Sequence, residues 1–365
     1  MIRKFITLFT DVTKTGTKIP KEEYLTTGKN IIIDQGKDSI AGYTDRQKGI
    51  FKEVPVIVFG DHTRIVKYVD KPFFLGADGV KVLKSKEKES NYKYLYYALK
   101  AAHIPNTGYN RHFKWLKQIN INYPGFNEQK NIVDILDSLT RIIKVRQKEL
   151  ALFDKLIKAR FVEMFGDPAN PINIWAPEKL EKICILNPKK EKKLENDDLD
   201  VSFVPMSAVS EHGAIDTTKV KKYSEVKKGF TYFLENDVLF AKITPCMENG
   251  KGAVATGLKN KKGFGSTEFH VLRPIKGKSN PYWLYTLTSF QSFRKLAELN
   301  MTGSAGQKRV PIKFLQNYKV VVPPIELQNE FANFVRQVDK SKVAVQKSLD
   351  ETQKLYDSLM QEYFG

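Results

Sequence analysis

A chain of 365 residues, 41% hydrophobic and 12% aromatic, is long enough for two or three domains and has the apolar content of a packed globular protein. Two cysteines, Cys184 and Cys246, are too few for a disulfide framework or a thiolate zinc site, and no apolar run approaches the roughly 18–20 residues that span a bilayer. Sixty Lys+Arg against 41 Asp+Glu give a formal charge of +19, which favours a polyanionic partner through counterion release and long-range attraction.

Met1 to Thr10 is too short and broken for a secretory h-region, so the expected location is cytoplasmic. Short β-rich runs follow, Ile31–Ile33 and Pro55–Phe59, punctuated by Gly, Asn and Asp, and then one amphipathic helix over Tyr92–Ala101. Beyond Tyr123-Pro-Gly-Phe-Asn, with Asn127 the expected N-cap, a long helix runs to Phe165, where Gly166-Asp-Pro stops it. Its apolar stripe, Ile132, Leu136, Leu139, Ile143, Leu150, Phe153 and Ile157, keeps the 4-3 heptad spacing of a coiled-coil seam.

The second block repeats the plan. It has β-rich runs at Val201–Val204 and Asp237–Phe240 and one helix predicted over Pro281–Phe293. After Val321-Val-Pro-Pro a second long helix carries the seam Phe331, Val335, Val338, Val345, Leu349, Tyr356 and Leu359. At roughly 38 residues and ~1.5 Å each, both helices reach about 57 Å. A helix that long with one apolar stripe needs a partner, and the two stripes can bury each other.

The chain in fact reads twice. Lys114 to Gly166 realigns without a gap on Lys313 to Gly365, with identities at Lys114, Leu116, Pro124, Gln129, Gln147, Lys148, Leu150, Lys155, Leu156, Glu163, Phe165 and Gly166. The blocks before these segments echo each other more faintly: Val58-Phe59 with Thr63 and Leu239-Phe240 with Thr244, Gly76–Leu83 and Gly265–Leu272, Asn91 and Asn280. The expected fold is α+β. Two α/β domains alternate with two long antiparallel coiled-coil helices in a pseudo-two-fold repeat, bounded at 1–124, 125–166, 167–323 and 324–365.

No catalytic constellation emerges. Asn280-Pro-Tyr-Trp283 lacks the second proline of an amino-methyltransferase loop and reads as a helix start with Pro at its first position. No glycine-rich nucleotide loop follows a strand. Glu191-Lys-Lys193 and Glu225-Val-Lys227 have a nuclease-like spacing but lie in lysine-rich stretches without a partner Asp in an apolar strand. Five scattered histidines show no ligand or triad spacing, so no catalytic residue and no metal site are assigned.

What remains is surface chemistry suited to double-stranded DNA, since base edges are read by Arg, Lys, Asn, Gln, Ser or Thr on loops and helix ends. Immediately before each repeated segment lies a glycine-containing polar loop: Thr107–His112, with Tyr109, Asn110, Arg111 and His112, and Thr302–Arg309, with Gln307, Lys308 and Arg309. Thr63 and Arg64, and Lys242 and Thr244, follow a strand in equivalent places. Lys14, Lys18 and Lys189-Lys190 suit phosphate contacts, and Arg111 and Arg309 are each expected to read a base of one half-site. A self-contained nuclease or methyltransferase explains only the charge, and a coiled-coil scaffold for protein partners explains only the helices.

Pro124-Gly-Phe-Asn-Glu-Gln129 and Pro323-Pro-Ile-Glu-Leu-Gln328 open the long helices. Phe161-Val-Glu-Met-Phe-Gly-Asp-Pro168, followed by Asn170-Pro171 and Trp175, closes the first, and Met360-Gln-Glu-Tyr-Phe-Gly365 closes the second. On these motifs essentially the whole chain resembles the specificity subunit of type I restriction-modification systems. The resemblance implies a non-catalytic subunit with two target-recognition domains, each reading one half of a split, asymmetric DNA target. It implies that the antiparallel helices act as a ruler and as docking sites for two methyltransferase subunits that bind S-adenosylmethionine and methylate adenine. Restriction subunits would supply ATP-driven translocation and cleavage, with ATP and Mg bound there and no cofactor in this chain. A spacer of about 57 Å matches about 17 base pairs at ~3.4 Å per step, enough for two short half-sites and a gap.

Overall fold

The computed structural model describes residues 1–76, 78–108, 110–172, 174–190, 196–304 and 306–365. They form two compact units, Met1–Gln147 with Lys347–Gly365, and Lys148–Gln346. Both long helices form, Phe126–Phe165 and Ile325–Phe364, each of 40 residues.

In the first unit, Val56–Gly60 is buried along its whole length, as suits a run of β-branched and aromatic residues at the centre of a sheet. It pairs antiparallel with Val66–Val69 on one side and Val80–Ser85 on the other, and Phe9–Asp11 completes the sheet. A second sheet orders Gly42–Thr44, Asn30–Ile33 and Phe73–Leu75, with a parallel pairing of Ile32 and Phe74. The helix Tyr92–Ala101 starts where the Asn91 side chain accepts from the Lys93 and Tyr94 amides (3.1 and 3.2 Å) and packs Tyr94, Leu95 and Leu99 into the core.

The second unit repeats this frame. Cys184–Leu186, Phe269–Pro274, Val238–Ala241 and Gly252–Val254 form one antiparallel sheet. Val220–Lys222, Asp200–Val204, Lys262–Gly265 and Thr231–Leu234 form the other, again with a parallel pair, Phe203 with Phe264. The single helix expected over Pro281–Phe293 is two, Pro281–Ser289 and Gln291–Leu299. The chain turns extended at Phe290 (φ −68°, ψ 142°), whose ring is buried against Phe161 at 5.1 Å. Burying that aromatic outweighs the continuation of a regular helix.

The seam forms within each unit. In the first, Ile132, Leu136, Leu139 and Ile143 share a core with Tyr356 and Leu359. In the second, Phe153, Ile157 and Phe161 share one with Phe331, Val335 and Val338. Each unit thus joins the start of one long helix to the end of the other, an antiparallel pairing. Leu150, Val345 and Leu349 are half-buried. Each fully buried member contributes about 1.5–3 kcal/mol of transfer free energy. Polar seam positions are paired, Arg160 with Glu330 (3.0 Å) and Asp154 with Lys342 (2.6 Å).

The first long helix starts at Phe126, one residue before the expected cap Asn127. Gly125 accepts from the Gln129 amide (3.0 Å), and the Gln129 side chain donates to the Pro124 carbonyl (2.9 Å), so the Pro-Gly turn supplies the cap. The helix ends at Gly166, whose φ of +82° suits glycine, and a Cβ there would meet Ile172 N at 2.7 Å and Asn170 O at 2.8 Å. These close contacts are backbone of the hairpin that pairs Gly166-Asp167 with Asn170-Pro171.

Candidate nucleic-acid interface

The central strand of each unit ends beside a polar loop. In the second unit Val238–Ala241 runs into Lys242, Ile243 and Thr244, and the Thr302–Arg309 loop docks on that extension. Thr244 N donates to Lys308 O (3.0 Å), Val310 N to Lys242 O (2.8 Å), and Thr302 and Arg309 bridge each other. Gly303, at φ +125°, closes the loop: a Cβ there would meet Gln307 O at 2.9 Å. The structure therefore gathers Lys242, Thr244, Gln307, Lys308 and Arg309 into one patch. Gln307 and Lys308 are exposed at the tip, while the half-buried Thr244 hydroxyl donates to Glu248 (3.2 Å).

Arg309 is not a free fork. Its Nε and Nη2 donate to the Glu268 carboxylate at 2.9 and 2.8 Å, and Nη1 donates to Gln307 O at 3.1 Å. The bonded guanidinium holds the Glu268 carboxyl below the usual carboxylate range, against a smaller opposing push from burial. Beneath the loop His270 is buried, with Nε2 2.8 Å from Val310 O and Nδ1 3.0 Å from the Asn187 amide. Burial pushes its pKa down despite the bond to the carbonyl, so the imidazole is neutral, donating to Val310 and accepting from Asn187.

In the first unit the loop docks at the equivalent point, His112 N donating to Asp61 O (2.7 Å) and Phe113 N to Asp61 Oδ1 (2.7 Å). The expectation that His112 faces DNA is corrected: its ring is fully buried, and Nδ1 lies 3.0 Å from Asp61 O. Arg64 is half-buried at φ +62° and donates to Ile104 O (3.2 Å), so its side chain braces the loop. The Thr63 hydroxyl is likewise committed, to Gln35 O (2.6 Å). Asn110 and Arg111 are exposed, and the Asn110 side-chain amide donates to Thr107 O. Tyr109 lies outside the described residues. Lys14 is exposed, and Lys18 bonds Asp78 (2.6 Å).

Two positioning groups escaped the sequence reading. Gln35 joins three loops, accepting from His62 N (3.1 Å) and donating to Asp78 O (3.0 Å) beside its bond from Thr63. Glu268 was within reach, because the alignment of Gly76–Leu83 on Gly265–Leu272 sets it against Gly79; Gln35, in a loop with no echo in the other half, carried no such signal.

The weighed enzymatic motifs resolve into structure. Asn280 caps its helix, accepting from Tyr282 N (2.9 Å). Glu225 bonds the Lys222 amide (3.1 Å), and Lys227 pairs with Asp197 (2.8 Å). Glu191–Lys193 lie outside the described residues. Among the described residues no group of three His, Cys, Asp or Glu is placed to hold a metal ion, and no helix is long and apolar enough to cross a membrane.

A duplicated α/β frame, each copy joined to a pair of antiparallel helix segments and presenting its own polar loop beside the central strand, defines a tandem-repeat protein. The sequence carries that class to a family: residues 7–152 and 174–353 match the type I restriction modification DNA specificity domain, and the chain belongs to that family. It is 35% identical over 231 residues to the specificity subunit of the type I restriction enzyme EcoEI of Escherichia coli, and 34% identical over 230 residues to that of EcoAI. Each alignment takes 61% of this chain but 38% and 39% of those subunits, so the chain spans about two fifths of their length. The fold is similar to that of the type I restriction-modification S subunit from M. genitalium (TM-score 0.61, 18% identity, 100% of this chain and 96% of that one). It is also similar to a chain from a structural study of assembly and conformational transition in a type I R-M system (TM-score 0.51, 15% identity, 100% and 97%).

Proposed function

We propose that this chain is the non-catalytic specificity subunit of a type I restriction-modification complex, reading a bipartite, asymmetric target in double-stranded DNA. The observation that carries the reading is that each unit presents a polar loop from the same point of the same frame, with different exposed side chains: Asn110 and Arg111 in one, Gln307 and Lys308 in the other. A repeated frame with divergent loops suits two unlike half-sites, and the excess of 60 Lys+Arg over 41 Asp+Glu suits the phosphate backbone.

The long helices dock two methyltransferase subunits, and restriction/translocase subunits join through them. This is supported by apolar side chains left exposed along one flank of the seam, Ile135, Ile142 and Val145 in the first unit and Leu152 and Leu156 in the second. S-adenosylmethionine, ATP and Mg belong to those partners, and the complex works on DNA in the cytoplasm. Genome-wide adenine-methylation mapping with and without this chain tests the reading. A two-part motif that vanishes with the chain is the expected result, and an unchanged methylation pattern would sink it.

A further inference from the structure

The two loop arginines, each one residue before a docked amide, do different work. The frames share two backbone bonds here: Asp61 N donates to Gly79 O (2.7 Å) where Lys242 N donates to Glu268 O (2.9 Å). His112 N donates to Asp61 O (2.7 Å) where Val310 N donates to Lys242 O (2.8 Å). Arg111 and Arg309 are each the residue just before that docked amide. What differs is the opposing residue. Glu268 stands where the first unit has Gly79, and Asp78, one position earlier, bonds Lys18 at 2.6 Å.

The consequence follows from counting donors. Three N–H groups of Arg309 are already spent, two on a carboxylate that is only 25% exposed and one on the Gln307 carbonyl within its own loop. The Nε–Nη2 fork is therefore closed to a base edge, and the two N–H groups that remain, one on Nη1 and one on Nη2, sit on a guanidinium whose direction Glu268 and Gln307 fix. The bond to Gln307 O fixes the backbone of the exposed tip. In the first unit Arg111 is exposed, and the carboxylate near it, Asp78, is hydrogen-bonded to Lys18 and attracts Arg111 only through space.

We propose that Arg309 and Glu268 are positioning residues that clamp the Thr302–Arg309 loop, that Gln307 and Lys308 at its tip contact the base edges, and that Arg111 is the loop arginine that reads. The inference rests on the DNA-reading function above and sharpens it. The fork of Arg111 matches guanine O6 and N7, and the amide of Gln307 matches adenine N6 and N7.

Selection from a synthetic duplex pool with a randomised central segment, using the full 365-residue chain, tests this. Wild type enriches a two-part motif. Arg111→Ala flattens one position of one part by about tenfold, and Gln307→Ala flattens one position of the other. Arg309→Glu and Glu268→Arg each degrade the second part throughout, and the double swap E268R/R309E restores it because the clamp re-forms with its charges exchanged. A swap that melts like wild type yet stays as degraded as R309E makes Arg309 a base reader and overturns the proposal. The near-isosteric Glu268→Gln, which preserves packing, separates the two roles by a second route: a positioning clamp predicts a blurred second part, whereas a restrained reader predicts a sharpened one. An unaltered motif in Arg111→Ala overturns the first-unit assignment. A wild-type chain that enriches no motif overturns the DNA-reading function itself, and the inference with it.

Discussion

Gln129 and Gln328 open the two long helices from the same place in the repeat, and both are buried. Gln328 is fully employed: its Nε2 donates to Pro323 O (2.8 Å) and Lys278 O (3.1 Å), and its Oε1 accepts from Asn280 N (2.9 Å). Gln129 donates to Pro124 O (2.9 Å), but its Oε1 is buried without a partner. The local task, closing the proline turn at a helix start, is common to both units. The second task, tying the long helix to the start of the helix Pro281–Ser289, belongs to one. The first unit ties these elements elsewhere, where Asp137 pairs with Lys93 and accepts from the Tyr97 hydroxyl (2.7 Å). At the corresponding positions of the second unit Arg336 stands 5.6 Å from the Tyr282 ring centroid, a cation–π contact in place of an ion pair. Duplication has preserved the backbone frame, and each copy has solved its side-chain contacts independently.

The largest difference should lie in the seam. Phe331, fully buried, sits 5.4 Å from Phe161 and 5.7 Å from Phe165, while its counterpart Ile132 is a smaller aliphatic side chain buried in the first unit's core. Phe331→Ala should cost about 4 kcal/mol and Ile132→Ala about 3, from lost transfer energy plus the cavity left behind. Denaturant unfolding followed by tryptophan fluorescence separates them, with Trp175 and Trp283 in the second unit and Trp115 in the first. A cost below about 1 kcal/mol for Phe331→Ala would mean that the aromatic cluster does not anchor the helix pair.

The glutamines give the next effect. Gln328→Leu unpairs the buried Pro323 carbonyl and the part-buried bonds to Asn280 N and Lys278 O and should cost about 2 kcal/mol, whereas Gln129→Leu removes one bond together with an unpaired oxygen and should cost about 1 kcal/mol or less. Equal losses in the two variants, measured by the same unfolding titration, would break the comparison.

How much of this was legible beforehand divides along the same line. Long periodic elements were, because the 4-3 spacing and the Gly166 stop act locally, and both 40-residue helices lie where the pattern put them. The break at Phe290 was not, because a ring buried against Phe161 from a distant helix decides it. His112 looked like a surface group in a polar loop, and only the tertiary bond to Asp61 shows it buried. Arg309 had the right chemistry for a base edge, but Glu268, 41 residues away in sequence, had already claimed it. Sequence patterns locate such loops; which of their side chains are spent on the frame is settled by partners remote in the chain.

The smallest effect is set by pH. His270 lies beneath the second loop, near Glu268 and Lys242, at the place the first unit gives to Lys81; the first unit's buried imidazole, His112, lies within the loop itself. Burial holds its folded pKa below the ordinary 6.5, so the unfolded chain takes up the proton first as acid is added. Its contribution to stability is therefore complete above pH 6.5 and is lost as pH falls from 6.5 toward the lower folded value. The Glu268–Arg309 clamp has its own window: a carboxyl depressed below 4.5 keeps its contribution above that value and loses it only in stronger acid. Between those two values the loop's base should loosen while its clamp holds. Thermal melting of wild type and His270→Gln across this range should show a steeper decline on acidification in wild type. Parallel curves would remove His270 as a pH-sensitive point of the second unit.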